Sequence, residues 1–340
     1  MQMLLRKILL DPFLIMLLGA MLLAALLPAR GDAADVLDWV VTAAIALLFF
    51  LYGAKLSPSA VASGLLHWRL QSLVFICTYG IFPVLGLIAS HVLRGHLPDD
   101  LVLGILFLCL LPSTVQSSIA FTSIARGNVA AAITSASLSN LAGVFVTPLL
   151  VGLIIGAQGG ESFDLSSVGD IALQILLPFA IGQLCRPLIG KFLQRHARMT
   201  QFTDRGAILL VVYAAFSEGM VAGVWSHVDG TDLIWILATA CILLALILAI
   251  TALLGKLLGF SREDQITILF CGSKKSLATG VPMAGILFAG QSVSLVVLPL
   301  MIFHQIQLFI CALLAQRYAA HADADANAVN TVVQAVETKA

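Results

Sequence analysis

Residues 272–282 read GSKKSLATGVP and interrupt an otherwise apolar segment, 264–289. Lys274 and Lys275 lie near the middle of this segment, too far from either end for their ammonium groups to reach water. A lysine at that depth of a lipid bilayer costs a few kcal/mol and usually has a function. Residues 111–118, LPSTVQSS, interrupt another apolar segment in the same way. The two breaks therefore predict a membrane protein with a polar site inside the bilayer.

The composition of the whole chain favours the same class of protein. Of the 340 residues, 60% are hydrophobic and only 11% are charged. In soluble domains, roughly 45–50% of the residues are hydrophobic and about 25% are charged. This chain therefore has too few charged residues to cover a water-exposed surface. We predict an all-α polytopic protein whose main partner is the lipid bilayer. The 18 basic and 18 acidic residues balance, so the charge gives no reason to expect a nucleic-acid partner.

The apolar segments are long enough for ten transmembrane helices. We place them at 12–28, 36–56, 70–90, 101–126, 129–156, 170–190, 206–225, 233–254, 264–289 and 293–316. The interrupted segments are the fourth and the ninth, the same place in each half of the chain. Because five is odd, the halves must enter the membrane from opposite sides, which predicts two inverted five-helix repeats. Ordinary helices with a tolerated Pro or Ser would also explain the interruptions.

These repeats divide the chain into three parts. The first repeat is expected at 1–157 and the second at 158–318, and discontinuous helices four and nine should cross with the two breaks close together. Residues 319–340 are small and polar, which favours a disordered cytoplasmic tail.

The distribution of Lys and Arg predicts the orientation, because these residues accumulate on the cytoplasmic side. With the N-terminus inside, fourteen of the 18 basic residues fall in the cytoplasm and only Arg30 and Arg94 fall outside. We therefore expect both termini on the cytoplasmic side of a cell membrane of the bacterial inner type. The first segment could instead be a signal peptide after Arg6 and Lys7, but its removal would leave nine segments and no symmetry.

The first break supplies several candidate binding residues. Pro112 removes a backbone donor, and five of the next six residues carry hydroxyl or amide groups. A broken helix offers carbonyl groups to cations and amide groups to anions. Gln116 and Ser117 are the strongest candidates, and together with Ser118 they form a candidate sodium site. Hydrogen bonding between helices would account for part of the same polarity.

The two lysines of the second break cannot point the same way, because adjacent helical residues diverge. Each could contact a solute, titrate, or be a structural counter-charge that donates to carbonyl groups. Further candidates for substrate or ion binding are Thr134, Ser137, Glu218, Ser276, His304 and Gln305. His304 could relay a proton or simply pack, and Glu218 could pair with a lysine, bind a cation or lie in a water-filled vestibule.

The motifs favour a carrier over an enzyme. The sequence has neither a phosphate loop nor a His-Glu-x-x-His zinc motif, so no enzyme activity is expected. A channel would be expected to show polar residues along whole helices, whereas here they cluster at two breaks. We predict a secondary active carrier for a small organic anion. A regulatory or channel-like membrane protein and an intramembrane enzyme are the alternatives, and the sequence specifies neither the solute nor the oligomeric state.

The chain resembles the bile acid:sodium symporter superfamily, most closely its SBF-like branch. The resemblance extends over nearly the whole chain and rests on three stretches: 125–130 (ARGNVA), 275–283 (KSLATGVPM) and 299–305 (PLMIFHQ). It implies a mobile core of helices three to five and eight to ten. It also implies a panel of helices one, two, six and seven, with the substrate in the cleft between panel and core.

The resemblance further implies sodium coupling, through polar groups at the crossing and a glutamate on helix nine. Ser118 lies near one matching position. The glutamate, however, falls on Phe270, and a Gln-Asn pair falls on the two lysines. Two hydroxyl positions fall on Ala132 and Ala136. We therefore expect at least one sodium site to be absent, and sodium is the only cofactor that the residues leave open.

Overall fold

The computed structural model describes residues 12–55, 67–155, 165–289 and 292–337. Within these ranges the protein is helical apart from turns and one isolated bridge, which confirms the all-α prediction. The helices are α1 (Pro12–Leu26), α2 (Asp32–Lys55), α3 (Trp68–Leu93), α4 (Asp99–Leu110), α5 (Gln116–Ile124), α6 (Val129–Ile155), α7 (Leu165–Arg195), α8 (Ala197–Val221), α9 (Gly230–Leu257), α10 (Arg262–Gly272), α11 (Leu277–Leu287) and α12 (Val293–Glu337).

Six of the described helices are long and apolar enough to cross a membrane, either whole or in part. They are α2, α3, α6, α7, α9 and α12. Helices α4 and α5, and likewise α10 and α11, are halves of the two interrupted segments, and the longest half has 12 residues. At about 1.5 Å per residue such a half spans roughly 18 Å of a ~30 Å bilayer core. The count of ten spans and the inverted repeats stay predictions.

Both helices break at the polar residues. Helix α4 ends at Leu110, two residues before Pro112, and α5 begins at Gln116. Helix α10 ends at Gly272 and α11 begins after Ser276. The Ser276 hydroxyl accepts a hydrogen bond from the backbone N–H of Thr279 (3.2 Å), so it caps the new helix.

The helices pack in two groups. Helix α7 lies along α2, and α8 packs against α1 and α2; we call these four helices the panel group. The remaining helices, α3 to α6 and α9 to α12, pack mainly on one another and are the core group. Within the panel group, a methyl group at Gly53 or Gly182 would collide with the carbonyl of Phe179 or of Phe50, respectively. Glycine at these two positions therefore lets the backbones of α2 and α7 touch.

The C-terminal segment differs from the prediction. Helix α12 continues to Glu337, although a disordered tail was expected over 319–340. Seven of the residues in 319–337 are alanine, the residue with the highest helix propensity, and this outweighs the polarity of the segment. Residues 338–340, and the predicted repeat boundary at 157/158, lie outside the described residues.

Candidate functional site

The two breaks lie directly against each other. The backbone N–H of Ser276 donates to the carbonyl of Pro112 at 2.9 Å, which joins the breaks through their main chains. Asn140 of α6 adds a second link, because its Nδ2 donates to the Ser113 carbonyl (2.8 Å) and its Oδ1 accepts from Thr279 Oγ1 (2.9 Å). Buried or half-buried hydrogen bonds, one directly between the breaks and two through Asn140, therefore hold the two breaks together.

Serine hydroxyls satisfy the carbonyl groups at the C-terminal end of α10. Ser273 donates to Leu269 (2.6 Å), Ser118 donates to Phe270 (3.1 Å) and Ser113 donates to Cys271 (2.6 Å). The C-terminal end of a helix carries partial negative charge and suits a cation. Here neutral hydroxyl donors from both breaks occupy that end.

Lys275 satisfies the corresponding carbonyl groups at the end of α4. Its Nζ donates to the carbonyls of Cys109 (2.8 Å) and Leu111 (2.7 Å), and also to that of Thr78 on α3 (2.9 Å). The same ammonium lies 4.1 Å from the centre of the Phe82 ring. The Lys275 side chain is fully buried, so this positive charge is fixed where a bound cation would meet the negative end of a helix.

Lys274 points the other way and has a different environment. Its Nζ is buried and, among the residues that the structure describes, donates to no hydrogen-bond acceptor. The ammonium lies 3.8 Å from the centre of the Phe121 ring and 5.5 Å from that of Phe270. The adjacent lysines therefore differ: three carbonyl oxygens hold Lys275, whereas the charge of Lys274 lies against the faces of two aromatic rings.

Gln307 of α12 holds the backbone of the second break. Its Oε1 accepts from the Lys275 N–H (2.9 Å) and its Nε2 donates to the Lys275 carbonyl (2.8 Å). The same Nε2 lies 2.8 Å from Nδ1 of His304, one turn earlier on α12. The two residues are three apart, so they share a face of the helix.

A cavity of about 460 Å³ lies between the panel group and the core group. This volume is within the ~300–1,000 Å³ that small-molecule sites occupy. On the core side, the N-terminal ends of α5 and α11 line the cavity. The lining residues are Val115 to Ser117 at the start of α5 and Ser276 to Ala278 at the start of α11. Two helix N-termini, each with partial positive charge, therefore meet at one cavity.

The panel side of the cavity is largely apolar but includes three charged residues. Lys55 of α2 and Asp204 of α8 form an ion pair with 2.9 Å between Nζ and Oδ2. The guanidinium of Arg205 lies 5.3 Å from the centre of the Phe13 ring. The apolar residues that line the cavity are Phe13, Val115, Leu141, Val144, Phe179, Ile208, Leu277, Ala278 and Leu308.

The structure brings some of the predicted site residues to this cavity. Those that line it are Gln116, Ser117, Ser137, Ser276 and His304. Those that do not are Ser118, Thr134, Glu218, Lys274, Lys275 and Gln305. Thr134 donates to Ala130 of its own helix (3.0 Å), and Glu218 is exposed near the other end of α8 from Asp204.

The sequence did not single out the charged residues of the panel wall as site residues. They are Lys55, Asp204 and Arg205. Asn140 and Gln307 were visible only as polar residues within apolar segments, and the structure places them at the crossing. The three-residue spacing of His304 and Gln307 is a signal that could have identified Gln307.

The oxygen atoms at the crossing already have hydrogen-bond partners. The carbonyls at the ends of α4 and α10 accept from Lys275 or from serine hydroxyls. The hydroxyls of Ser117 and Ser118 lie 2.6 Å and 3.0 Å from Thr114 Oγ1, so they too have partners. Where the resemblance implies a glutamate, the chain has buried Phe270.

Comparisons with known proteins agree on a family. The model of the SBF-like CPA transporter family matches residues 11–320. The chain is 54% identical to an uncharacterized protein of Pseudomonas aeruginosa, covering 92% of this chain and 94% of that protein. It is 50% identical to "Putative symporter YfeH" of Escherichia coli, covering 91% and 93%, respectively. It is 28% identical to "Sodium/bile acid cotransporter 7" of Danio rerio, covering 80% and 81%.

Proposed function

Because the chain belongs to the SBF-like CPA transporter family, we propose that it is a secondary active transporter of an organic anion that works by alternating access. The family consists of transporters and not of enzymes, and the long apolar helices make the chain a multi-pass membrane protein. Ten spans in two inverted repeats, with both termini in the cytoplasm, complete the proposal.

The observation that carries the choice of an anion is the meeting of two helix N-termini at the cavity. The first residues of α5 and α11 line it, and backbone N–H groups at such positions bind anions without a cationic side chain. Arg205 and Lys55 add positive charge on the opposite wall, where Asp204 balances one of the two. The apolar lining suits an organic body, so the solute carries an acid group at one end.

The packing supports movement of the core group against the panel group. Hydrogen bonds such as that from Ser276 to Pro112 tie the two breaks together, so the core group would move as a unit. Within the panel group, the backbones of α2 and α7 are in close contact at Gly53 and Gly182, so these two helices would also move together. Lys55 and Arg205 lie at helix ends that the charge distribution assigns to the cytoplasm. In this proposal the panel wall of the cavity therefore lies toward the cytoplasmic side.

In this proposal Lys275 replaces a sodium ion permanently. Its ammonium and a sodium ion about 4 Å away would repel by roughly 4 kcal/mol at an effective dielectric constant near 20. That repulsion exceeds the coupling free energy between two bound ligands, which is usually about 1–3 kcal/mol. A sodium site beside Lys275 would therefore stay too weak to couple to the solute.

The experiment that tests transport is solute counterflow. We expect proteoliposomes that contain the purified protein and are loaded with an unlabelled organic anion to take up the same labelled anion by exchange. The panel of anions should have one acid group and a body that fits the cavity of about 460 Å³. Absence of exchange with every anion, from protein that keeps its helical circular-dichroism spectrum, would favour the regulatory or channel-like alternative.

Transport should not need sodium. We expect the initial rate of uptake in sodium buffer to be within about twofold of the rate in choline buffer of equal osmolarity, because Lys275 already occupies the carbonyl end of α4. Lys274→Gln is the matched control, because it removes the neighbouring lysine and keeps Lys275. The uptake rate of this variant should also be the same in sodium and in choline buffer. A rate that rises tenfold or more with sodium in the wild type would contradict the assignment of Lys275.

A further inference from the structure

The hydrogen bonds of Gln307 define the protonation of His304. The Lys275 N–H is a donor only, so the amide atom of Gln307 that faces it must be the oxygen. The other amide atom, Nε2, is a donor only and lies 2.8 Å from His304 Nδ1. This assignment of the amide makes Nδ1 the acceptor of the shorter of its two contacts, so Nδ1 is assigned no hydrogen. In this state His304 is a neutral imidazole with its hydrogen on Nε2.

A second proton on His304 would change this arrangement. The new hydrogen on Nδ1 would face the NH₂ group of Gln307, and two donors cannot bond. The Lys275 carbonyl oxygen lies 3.4 Å from Nδ1 and is the alternative acceptor. Gln307 donates to that same oxygen, so protonation of His304 would break the contact between Gln307 Nε2 and His304 Nδ1 and bring a second donor to the carbonyl that Gln307 now holds. His304 thus lines the cavity and also contacts Gln307 and the Lys275 carbonyl at the second break.

The charged groups around His304 favour binding of a proton together with an anion. The Lys275 ammonium is directed away, to carbonyls of α3 and α4, and α5 and α11 contain no titratable residue. The titratable groups that line the same cavity from the panel side are Tyr52, Lys55, Asp204 and Arg205. Since Asp204 pairs with Lys55, Arg205 leaves a net positive charge on the wall that faces His304 across the cavity, and a bound anion would cancel it.

We propose that His304 binds the proton that is transported with the anion, so that the protein is a proton-coupled symporter. The proposal rests on the transport function proposed above. The proton enters from water and binds Nδ1 when an anion occupies the cavity, and it leaves from Nδ1 to water on the other side when the anion dissociates. Linkage then requires that the anion binds more tightly as the pH falls.

The test uses the full-length protein in proteoliposomes, with an anion identified by counterflow. An external medium one pH unit more acidic than the lumen should drive up to about tenfold accumulation of the anion in the wild type. His304→Gln should show no acid-driven accumulation of the anion. Substrate-induced thermal stabilisation of the purified variant should also no longer increase as the pH falls, as it does in the wild type. His91→Gln, at an exposed histidine at the end of α3, is the matched control and should accumulate like the wild type.

Gln307→Glu provides a test that does not depend on removing the histidine. A carboxylate there could accept from both the Lys275 N–H and a protonated Nδ1, so we expect the half-maximal rate of counterflow to shift to higher pH by about one unit. A histidine that only packs would produce no such shift. The proposal is overturned if His304→Gln still accumulates the anion in response to acid, or if Lys274→Met removes that response. Loss of counterflow in every protein, including the wild type, would instead count against the transport function.

Discussion

Lys275→Met is expected to lower the free energy of unfolding of the purified protein by about 3–5 kcal/mol. The substitution keeps the length of the side chain but leaves the carbonyls of Thr78, Cys109 and Leu111 buried without a donor. Each orphaned acceptor costs roughly 1–3 kcal/mol. The measurement is the thermal denaturation of wild type and variant in the same detergent.

The neighbouring lysine supplies the control for this result. Lys274→Met removes an ammonium whose contacts are the rings of Phe121 and Phe270, so it orphans no hydrogen-bond partner. We expect the midpoint of thermal denaturation to stay the same or rise, because replacing a buried charge by an apolar side chain is often stabilising. Equal losses of stability in the two variants would contradict the different roles assigned to these lysines.

Ala278→Asp is expected to reduce transport by at least about 100-fold while the protein stays folded. Ala278 lies in the first turn of α11 and lines the cavity, so the new carboxylate would occupy the helix N-terminus that we assign to the acid group of the solute. Two such charges about 4 Å apart repel by roughly 4 kcal/mol at an effective dielectric constant near 20. An acidic residue in the first turn is otherwise favourable to a helix. The measurement is the initial rate of counterflow.

Ala278→Asn has nearly the same size as Ala278→Asp and carries no charge, so it separates repulsion from steric exclusion. We expect the asparagine variant to lose much less activity than the aspartate variant. If both variants lose activity equally, the helix N-terminus does not bind a negative group. An increase in transport with aspartate would indicate a cationic solute.

The position of both breaks could be predicted from the sequence, because polar residues within apolar segments are too costly to occur without a partner. The roles of the two lysines could not. The groups that hold Lys275 are backbone carbonyls of Thr78, Cys109 and Leu111. Every residue type has a carbonyl, so no sequence pattern marks such a site. Ser118 illustrates the same difficulty, since the partner of its hydroxyl is the backbone carbonyl of Phe270.

The panel wall of the cavity was missed for a different reason. Lys55 and Arg205 contributed only to the prediction of orientation, because a charge near the end of an apolar segment is typical of any membrane helix. Their approach to the cavity depends on how α2 and α8 pack, which involves residues about 150 positions apart, as in the ion pair between Lys55 and Asp204. Such distant pairing is not visible in local patterns.

The link from Ser276 to Pro112 has a consequence for how proteins of this design diversify. On that wall of the cavity, the link that joins the two breaks is made by main-chain groups, which persist whatever the side chains are, and the proposed anion site likewise uses the main-chain N–H groups of two helix N-termini. The facing wall presents side chains such as Tyr52, Phe179 and Ile208, which single substitutions can reshape. Substitutions on the panel side of the cavity could therefore change which solute binds, while the main-chain link between the two breaks on the core side is kept.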